Sequence, residues 1–412
     1  MSRTFRLFVT LGPGDVVSAR RRAAAGEAVN STSIAYSEQL VAYCKERNFP
    51  TLAISANPRS DVLVDGVLTL ENRPKPLRES AGVAFHVSQL LYAVYLCWRA
   101  VRFRADVAVI DSGTTHYFCL WLFRLFGIQV VPNLHNTLWP RGYRPTGTAS
   151  RLLLGLDALF FAYGASAAIG VSPECERQVA TQARGRIPFF QYRCQFRDNG
   201  FTHAQPYRGG PFRLCFVGRA ERNKGLLDLV TIGGSLTRQS PVPVTIEVCG
   251  DGPSLNEFNK LVSEQGLASS IRVHGRLNRT ELLSVYAQSH AMVVPTRSDF
   301  CEGVPAVCAE AMMARLPAVA SDATNSLDVI GPASLQVPTN DVGAFVEAIL
   351  RLINSPETHD ALQAACAGAA DQFIDRSFSM PAAIDRALNA LTGQSTLASY
   401  STLFHERQAA RP

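Results

Sequence analysis

The chain has 412 residues, of which 47% are hydrophobic and 18% charged, and it contains no low-complexity tract or internal repeat. This length suggests two or more domains, each large enough for its own core.

The net charge of +6 is unevenly distributed. Residues 1–205 hold 23 Lys+Arg against 14 Asp+Glu, a net +9, and the remainder holds 17 against 20. A basic half suits an anionic partner or membrane surface, or is a solvated Arg-rich surface. The basic residues form no nucleic-acid-binding motif and no aromatic platform, which disfavours a nucleic-acid module.

The ten cysteines occur singly in apolar settings, without any C-x-x-C pair. They are typical of reduced core residues in a cytosolic protein. The segment Phe5–Leu11 is too short and too charged for a secretory signal. The sequence therefore predicts a cytoplasmic location. The spacings of His and Cys match no metal site, so we expect neither a metal nor a cofactor.

The first half alternates strands and helices, which predicts a parallel sheet in an α/β domain. Strands are expected at Phe5–Leu11, Thr51–Ser55, Val107–Asp111 and Gln129–Asn133. The basic run Arg20–Arg22 and the later Asn30 follow the first strand, where such sheets bind ligands. No phosphate loop is assigned there, since a solvated basic loop explains the run equally well.

Two apolar segments in this half, residues 86–104 and 117–126, combine aromatic side chains with Arg. Such helices lie in a membrane interface or form the core of an α/β domain, and both interpretations stay open. In the membrane interpretation, Trp98 and Arg99 lie at the contact. Leu152–Val171 has the length of a membrane span, but Asp157, Gly164 and Ser166 divide it into a buried helix and a strand.

Polar residues follow the predicted strands of the first half. His135 comes directly after the strand ending at Asn133, and His116 follows the strand ending at Asp111. A single histidine in this position is often only a hydrogen-bonded core residue, but either ring would face a ligand cleft. Arg141 and Arg144 follow His135 and would approach an acidic acceptor.

A linker rich in turn-forming residues, 197–211, leads into a strand, turn and helix at Phe212–Leu229, with the helix expected to begin near Gly225. Gly218 opens that turn, and Arg219 and Lys224 flank it. Two cations beside a helix N-terminus are suited to neutralise a phosphate leaving group, although surface solvation would also explain them. Two further strands end in glycines: Gly250 and Gly252, then Gly275 with Arg276.

The segment Asp299–Met312 places Glu302 and Glu310 eight positions apart across a predicted loop-to-helix junction. Pro305 suits the first helical position, so that the amides of residues 306–308 would point at an anion. Glu302 would meet a sugar at the mouth, and Glu310 would lie deeper. A carboxylate inside so apolar a run requires a partner, which argues against a merely structural helix.

The order of these motifs resembles a known family. Gly218-Arg219-x4-Lys224-Gly225, Gly250-x-Gly252-Pro253, Val273-x-Gly275 and Glu302-x7-Glu310-Ala311-Met312 are similar to the nucleotide-sugar half of the retaining GT-B glycosyltransferases of family 4 (group 1). The family usually has Glu-Gly-Phe-Gly where this chain has Glu302-Gly303-Val304-Pro305. Since proline has no N–H to donate to a sugar hydroxyl, this difference affects the sugar's identity more than the reaction class.

The resemblance implies two Rossmann-like domains facing across a cleft, residues 1–205 and 206–378, with a crossover helix and tail, 379–412, returning to the first domain. It implies transfer of a sugar from a nucleoside-diphosphate sugar to an acceptor hydroxyl, with retention and without a metal. His135, Arg219, Lys224 and Glu302 would be catalytic. The implied donor-binding residues are Gly218, Gly250, Gly252, Gly275, Arg276, Gly303, Val304 and Glu310, and the acceptor-side candidates are Asn30, His116 and Arg141.

The acceptor is expected to be a glycolipid, polysaccharide or other glycoconjugate precursor, either lipid-linked or anionic, with contact to the inner face of a membrane. Two alternatives remain: a GT-B enzyme that epimerises or hydrolyses a nucleotide sugar, and a scaffold that binds the nucleotide sugar without transfer. Turnover of donor without acceptor distinguishes the first. The complete set of Arg219, Lys224, Glu302 and Glu310 argues against the second.

Overall fold

The structure is a computed structural model that describes residues 5–27, 31–77, 80–197 and 200–393. The strands of the first half are β1 (Leu7–Leu11), β2 (Ser33–Ile34), β3 (Thr51–Ser55), β4 (Asp61–Asp65), β5 (Leu68–Asn72), β6 (Val107–Asp111), β7 (Gln129–Leu134), β8 (Ala168–Gly170), β9 (Phe189–Gln191) and β10 (Gln195–Phe196). Its helices are α1 (Val16–Ala24), α2 (Tyr36–Glu46), α3 (Gly82–Phe103), α4 (Trp121–Leu125), α5 (Thr148–Tyr163) and α6 (Pro173–Gln182).

The first half forms an eight-stranded sheet of order β4-β5-β3-β1-β6-β7-β8-β9. Its strands are parallel except for β4, which pairs antiparallel with β5 through the short turn at Gly66. The four strands expected from the sequence are present within two residues of their predicted ends. The apolar run at Leu152–Val171 is divided between α5 and β8, as expected. No helix in the described ranges is both long and apolar enough to cross a bilayer.

The second half begins with the strands β11 (Phe212–Val217), β12 (Val244–Cys249), β13 (Ile271–Gly275), β14 (Ala291–Val294), β15 (Ala318–Ser321) and β16 (Ser334–Val337). These form a parallel sheet of order β13-β12-β11-β14-β15-β16. Its helices, with the last helix of the chain, are α7 (Asp228–Gln239), α8 (Leu255–Glu264), α9 (Arg279–Gln288), α10 (Ala306–Met313), α11 (Leu327–Ile330), α12 (Val342–Asn354), α13 (Pro356–Ala370) and α14 (Met380–Leu391). The two-domain α/β expectation is confirmed.

The last helix, α14, returns to the first half. Met380, Ile384 and Leu388 are buried in the same hydrophobic core as the first sheet, and Tyr43 on α2 donates a hydrogen bond to Asp385. The crossover helix predicted from the resemblance is therefore present. Phe196 and Ala204, which precede 205, pack with residues of the second half, and the domain boundaries at 205 and 378 stay predictions.

Both sheets place loops at the carboxyl ends of their strands, where parallel sheets bind ligands. Between the sheets, β2 pairs with β10 in a short antiparallel ribbon. The run Arg20–Arg22 belongs to α1, where Arg20 pairs with Asp65 and Arg21 with Asp61. It does not form a phosphate loop.

Candidate active site

The loops after β11, β12 and β13 are joined in series at the carboxyl edge of the second sheet. Gly218 N–H donates to the Cys249 carbonyl at 3.0 Å, and Gly250 N–H donates to the Gly275 carbonyl at 2.7 Å. Gly250 has φ +145°, and a Cβ there would clash with the Gly218 carbonyl. Glycine is therefore needed for the loops to approach so closely. Gly252 belongs to the same joined loops, while Arg276 is exposed at their edge.

Lys224 lies in a single 3₁₀ turn, Arg222–Lys224, that ends at Gly225. The helix that follows begins at Asp228 rather than near Gly225, so the predicted start is three residues early. Lys224 Nζ forms an ion pair with Glu302 and lies 3.9 Å from the centre of the Phe300 ring. Only 17% of the Lys224 side chain and 10% of the Glu302 side chain are exposed. The structure thus brings together two of the predicted catalytic residues.

Arg219 differs from Lys224 in being 59% exposed. Its guanidinium pairs with Glu221 at 2.7 Å and lies 5.6 Å from the centre of the Phe300 ring. Because the side chain is long and largely solvated, it is free to turn toward an anion. Phe300 contacts both cations and was not identified from the sequence.

A cavity of about 180 Å³ lies between these cations and the start of α10. It is lined by Gly218, Arg219, Lys224, Glu302 and Pro305, together with neighbouring residues. Pro305 is the N-cap and not the first helical residue, since its ψ is 129°. Its carbonyl accepts the Cys308 N–H at 3.0 Å, which removes that amide from the predicted anion-binding set. Ala306 and Val307 remain at the cavity wall.

Glu310 is buried within α10, and both of its carboxylate oxygens accept hydrogen bonds. Thr32, just before β2, donates to Oε1, and Tyr286 on α9 donates to Oε2. Burial raises the pKa of Glu310, and the two hydrogen bonds only partly offset this. The sequence indicated that this buried carboxylate needs a partner. The structure supplies two hydroxyls, one from each half of the chain.

The two halves meet where Gly303 lies against the residue His135. A Cβ at Gly303 would lie 2.5 Å from Val171 Cγ2 and closer still to the His135 carbonyl oxygen. The backbone of Glu302 is held from both sides, because Thr137 Oγ1 donates to its carbonyl at 3.3 Å and Asn325 Nδ2 at 2.7 Å. Val304 packs beside them in the core of the second half. This contact places His135 beside the Glu302 loop.

His135 belongs to a hydrogen-bonded cluster at the ends of β6 and β7. Its Nε2 lies 3.2 Å from Asp111 and its Nδ1 lies 3.0 Å from the Tyr192 hydroxyl. Asn133 Nδ2 donates to Asp111 at 2.7 Å, and the Tyr36 ring packs against the imidazole. Burial opposes protonation, but the charge and hydrogen bond of Asp111 outweigh it and raise the pKa of His135. The ring is thus held in one orientation, and its charged form is stabilised relative to that of an ordinary histidine.

The structure places the acceptor-side candidates in different surroundings. His116 is half-buried beside His86, whereas Arg141 reaches across to the second half and pairs with Asp328 at 3.3 Å. Asp328 also pairs with Arg177. Arg141 therefore joins the two halves here. Asn30 lies outside the described residues.

Several contributors to this site were not identified from the sequence: Thr32, Asp111, Asn133, Tyr192, Tyr286, Phe300 and Asn325. Asp111 and Asn133 were detectable in principle, since each ends a predicted strand at the edge where His135 was placed. Thr32 and Tyr286 carry no such signal, because their contact with Glu310 depends on how distant elements fold together.

We expect Asp111→Asn to lower the pKa of His135, since it removes the charge that favours the imidazolium. The raised pKa means that protonated His135 adds stability below its ordinary pKa and that this stability is lost as pH rises through the folded value. The substitution should therefore cost more unfolding free energy on the acid side of that transition than above it. An NMR titration of the His135 ring measures the pKa directly. An unchanged pKa in a folded variant would contradict the assigned cause.

Comparison with known proteins supports the interpretation of these motifs. Residues 202–367 match the family model described as glycosyl transferases group 1. The alpha-D-kanosaminyltransferase of Streptomyces kanamyceticus is 27% identical over 151 residues, which is 36% of this chain and 38% of that protein. The chain thus matches well under half the length of this relative.

Solved structures are similar over nearly the whole chain. Sucrose-phosphate synthase from Thermosynechococcus elongatus has a TM-score of 0.67 at 17% identity, covering 99% of this chain and all of that one. Anabaena HepE, solved in complex with UDP, has a TM-score of 0.61 at 14% identity, covering 95% of this chain and all of that one. At these identities the similarity shows the fold, which is the two-domain GT-B arrangement.

Proposed function

Since the chain resembles the glycosyl transferases group 1 over residues 202–367 and has the GT-B fold, we propose that it transfers a sugar from a nucleoside-diphosphate sugar to an acceptor hydroxyl. The observation that carries this proposal is the cavity where Lys224, Arg219, Glu302 and the start of α10 converge. It combines two cations for a diphosphate with a carboxylate for sugar hydroxyls. Such a combination suits a charged leaving group attached to a polyhydroxylated substrate.

The donor would lie with its diphosphate against Arg219 and Lys224. As the bond between the anomeric carbon and the phosphate oxygen breaks, its electron pair leaves with the diphosphate, and the two cations stabilise the growing charge. These cations supply the neutralisation that a metal ion provides in other sites, so the proposed reaction is metal-independent. Glu302 would hold the sugar, and Glu310 the ribose.

The proposed transfer retains the configuration at the anomeric carbon. The acceptor oxygen would then form its bond on the face from which the diphosphate leaves. The departing phosphate oxygen lies on that same face and would receive the acceptor's proton. His135, oriented by Asp111 and beside the Glu302 loop, would hold the sugar near its anomeric carbon.

The direct test is a thermal-shift panel of UDP-, GDP-, ADP- and TDP-sugars, because a ligand that binds only the folded state raises the melting temperature by mass action. The nucleotide that gives a shift is then supplied in a turnover assay with and without candidate acceptors. Turnover without acceptor would indicate epimerisation or hydrolysis instead. Binding without any turnover favours the scaffold alternative, and no shift with any nucleotide contradicts the proposal.

Replacing the two glutamates separates their roles. Glu310→Gln should weaken binding of the bare nucleoside diphosphate, because Glu310 is expected to accept ribose hydroxyls. Glu302→Gln should weaken the binding of sugar-bearing ligands only. Binding of the bare diphosphate should not weaken, because the substitution releases Lys224 from its ion pair. Calorimetry with diphosphates and diphosphate sugars measures both. Glu264→Gln, an exposed residue on α8, is the matched control, and equal losses of bare diphosphate affinity in the two site variants would contradict this division.

The face formed by α3, α4 and α5 supports a peripheral membrane contact. Val94, Trp98, Leu125 and Leu152 are exposed there, with Leu125 76% exposed. The single acidic residue on these three helices is Asp157, which accepts the Phe118 N–H at 2.9 Å. An apolar face without free acids suits an anionic lipid surface. We propose this face as the membrane contact.

Arg99 was expected at this contact, and that expectation is wrong. Its guanidinium pairs with the buried Glu71 and donates a hydrogen bond to the Tyr95 hydroxyl at 3.0 Å. Arg102 takes the role instead, since it is exposed and its guanidinium lies 5.1 Å from the centre of the Trp98 ring. An arginine stacked on an exposed tryptophan presents charge and apolar surface together.

We expect the protein to co-sediment with anionic vesicles at low salt and to detach as ionic strength rises, because ions screen the attraction. Arg102→Gln combined with Arg104→Gln should weaken this binding without changing nucleotide affinity. The control is Arg208→Gln combined with Arg272→Gln, two exposed arginines of the second half. If the protein does not bind anionic vesicles at low salt, the proposed membrane contact is wrong and α3 is only a core helix.

A further inference from the structure

Three basic side chains meet beside the loop that follows β6. His86 Nδ1 lies 2.9 Å from His116 Nε2, and the two rings stack with centres 5.1 Å apart. Lys75 approaches the same loop and donates to the Gly113 carbonyl at 2.8 Å. Burial, His86 and Lys75 together lower the pKa of His116. Protonation of His116 is therefore disfavoured.

This basic cluster lacks an anionic partner among the described residues, since no carboxylate there forms a hydrogen bond or ion pair with any of the three side chains. Lys75 donates to Gln89 Oε1 at 3.2 Å and to Gly113, which are both neutral acceptors. An ammonium has three donors, so one remains for a ligand. Burial also lowers the pKa of Lys75 to about 8. An anion bound here would compensate the burial and the mutual repulsion.

The cluster adjoins the site of transfer. Gly113 accepts the hydrogen bond from Lys75, and its neighbour Ser112 accepts the His135 N–H at 3.1 Å. Adjacent Cα atoms are only about 3.8 Å apart. A molecule held by Lys75 and His116 would therefore contact the loop whose Ser112 also holds the His135 backbone, on the acceptor side of the proposed reaction.

The border of the cluster is apolar. The Phe85 and Phe118 rings both contact His116, with centres 6.2 and 5.4 Å away. From there an exposed stripe runs along α3, made of residues spaced three or four apart: Val83, Val87, Leu91 and Val94. On a helix this spacing places the side chains on one face. An anion-binding cluster thus opens onto an apolar track that continues into the proposed membrane face.

We propose that the acceptor is an anionic amphiphile whose phosphate group binds Lys75, His86 and His116 and whose alkyl chain lies along the α3 stripe. A phosphate offers several strong acceptor oxygens and more than one negative charge, which suits three basic donors. That this molecule is the acceptor depends on the proposed function. That it binds at this cluster does not. Its test can therefore be made without any turnover.

Calorimetry with the whole protein compares dodecyl phosphate below its micelle concentration, inorganic phosphate and the neutral dodecyl maltoside. Dodecyl phosphate should bind at least ~10-fold more tightly than either of the others, because it alone has both the charge and the chain. Lys75→Gln and His116→Gln should each lower that affinity by about 10-fold, which corresponds to loss of one charge-assisted contact. Lys260→Gln, an exposed lysine of the second half, should leave it unchanged.

An NMR titration of the His116 ring gives a second measurement that needs no variant. Dodecyl phosphate should raise the pKa of His116, and dodecyl maltoside should not. Equal binding of dodecyl phosphate by the wild type and Lys75→Gln, with an unchanged His116 pKa, would overturn the site. Inorganic phosphate binding as tightly as dodecyl phosphate would overturn the amphiphile. In either case the nucleotide panel would still report independently on the transferase proposal.

Discussion

Lys224→Ala should lower the rate of sugar transfer by on the order of a hundredfold or more, by analogy with the loss of a transition-state donor. Lys224 Nζ lines the cavity beside Arg219, and little of its side chain is exposed. In the proposed reaction its charge would therefore act on the departing diphosphate with little screening by water. The rate of donor turnover with saturating acceptor measures the effect.

The ion pair with Glu302 complicates this substitution, because removing Lys224 leaves a largely buried carboxylate without its partner. Such a loss costs roughly 3–5 kcal/mol when the pair is fully buried. Thermal unfolding of Lys224→Ala must therefore accompany the kinetics, and Lys224→Ala combined with Glu302→Gln removes the unpaired charge. A folded Lys224→Ala variant that transfers at the wild-type rate would refute the assignment of the donor site.

Gly303→Ala should also reduce transfer by about a hundredfold, the order expected when reacting groups are displaced by about 1 Å. The added methyl would overlap the His135 carbonyl and approach Val171 within 2.5 Å, and backbone at this position cannot easily move aside. The two halves would have to separate locally, which takes His135 away from Glu302. Binding of the bare nucleoside diphosphate should change little, since Arg219, Lys224 and Glu310 keep their places.

The control for this substitution is Gly368→Ala, because a methyl at Gly368 on α13 has no heavy atom within 4 Å. Measuring diphosphate affinity and transfer rate on both variants separates a local displacement from general destabilisation. If Gly303→Ala and Gly368→Ala transfer equally well, the close contact between Gly303 and His135 has no part in the reaction.

Much of this architecture could be predicted because parallel strands have a simple pattern. The runs Thr51–Ser55 and Val107–Asp111 are buried on both faces and become β3 and β6 within their predicted limits. The polar residues that follow such strands reach the same edge, and His135 lies there beside the Glu302 loop. Likewise, Lys224 and Glu302 are 78 residues apart but come together because their loops follow the neighbouring strands β11 and β14.

Other features depend on contacts that no local pattern records. The antiparallel strand β4 is the exception, because Asp65-Gly66 between two apolar runs is a local hairpin signal that the sequence-based prediction did not use. Arg99 is mostly buried because it pairs with Glu71, a residue of β5 that is distant in sequence. Pro305 is a helix cap because the chain approaches α10 in an extended conformation, which composition alone does not indicate.

The hydrogen bond from Thr32 to Glu310 has a thermodynamic consequence for any nucleotide that uses Glu310. A ribose hydroxyl that displaced Thr32 from Oε1 would bind with a dissociation constant that includes the free energy of breaking this link. The coupling is reciprocal: a ligand that moves the Thr32 segment would change nucleotide affinity, and nucleotide would change that ligand's affinity by the same factor. Occupancy of the donor pocket would thereby be communicated to the first half of the chain through a single hydroxyl.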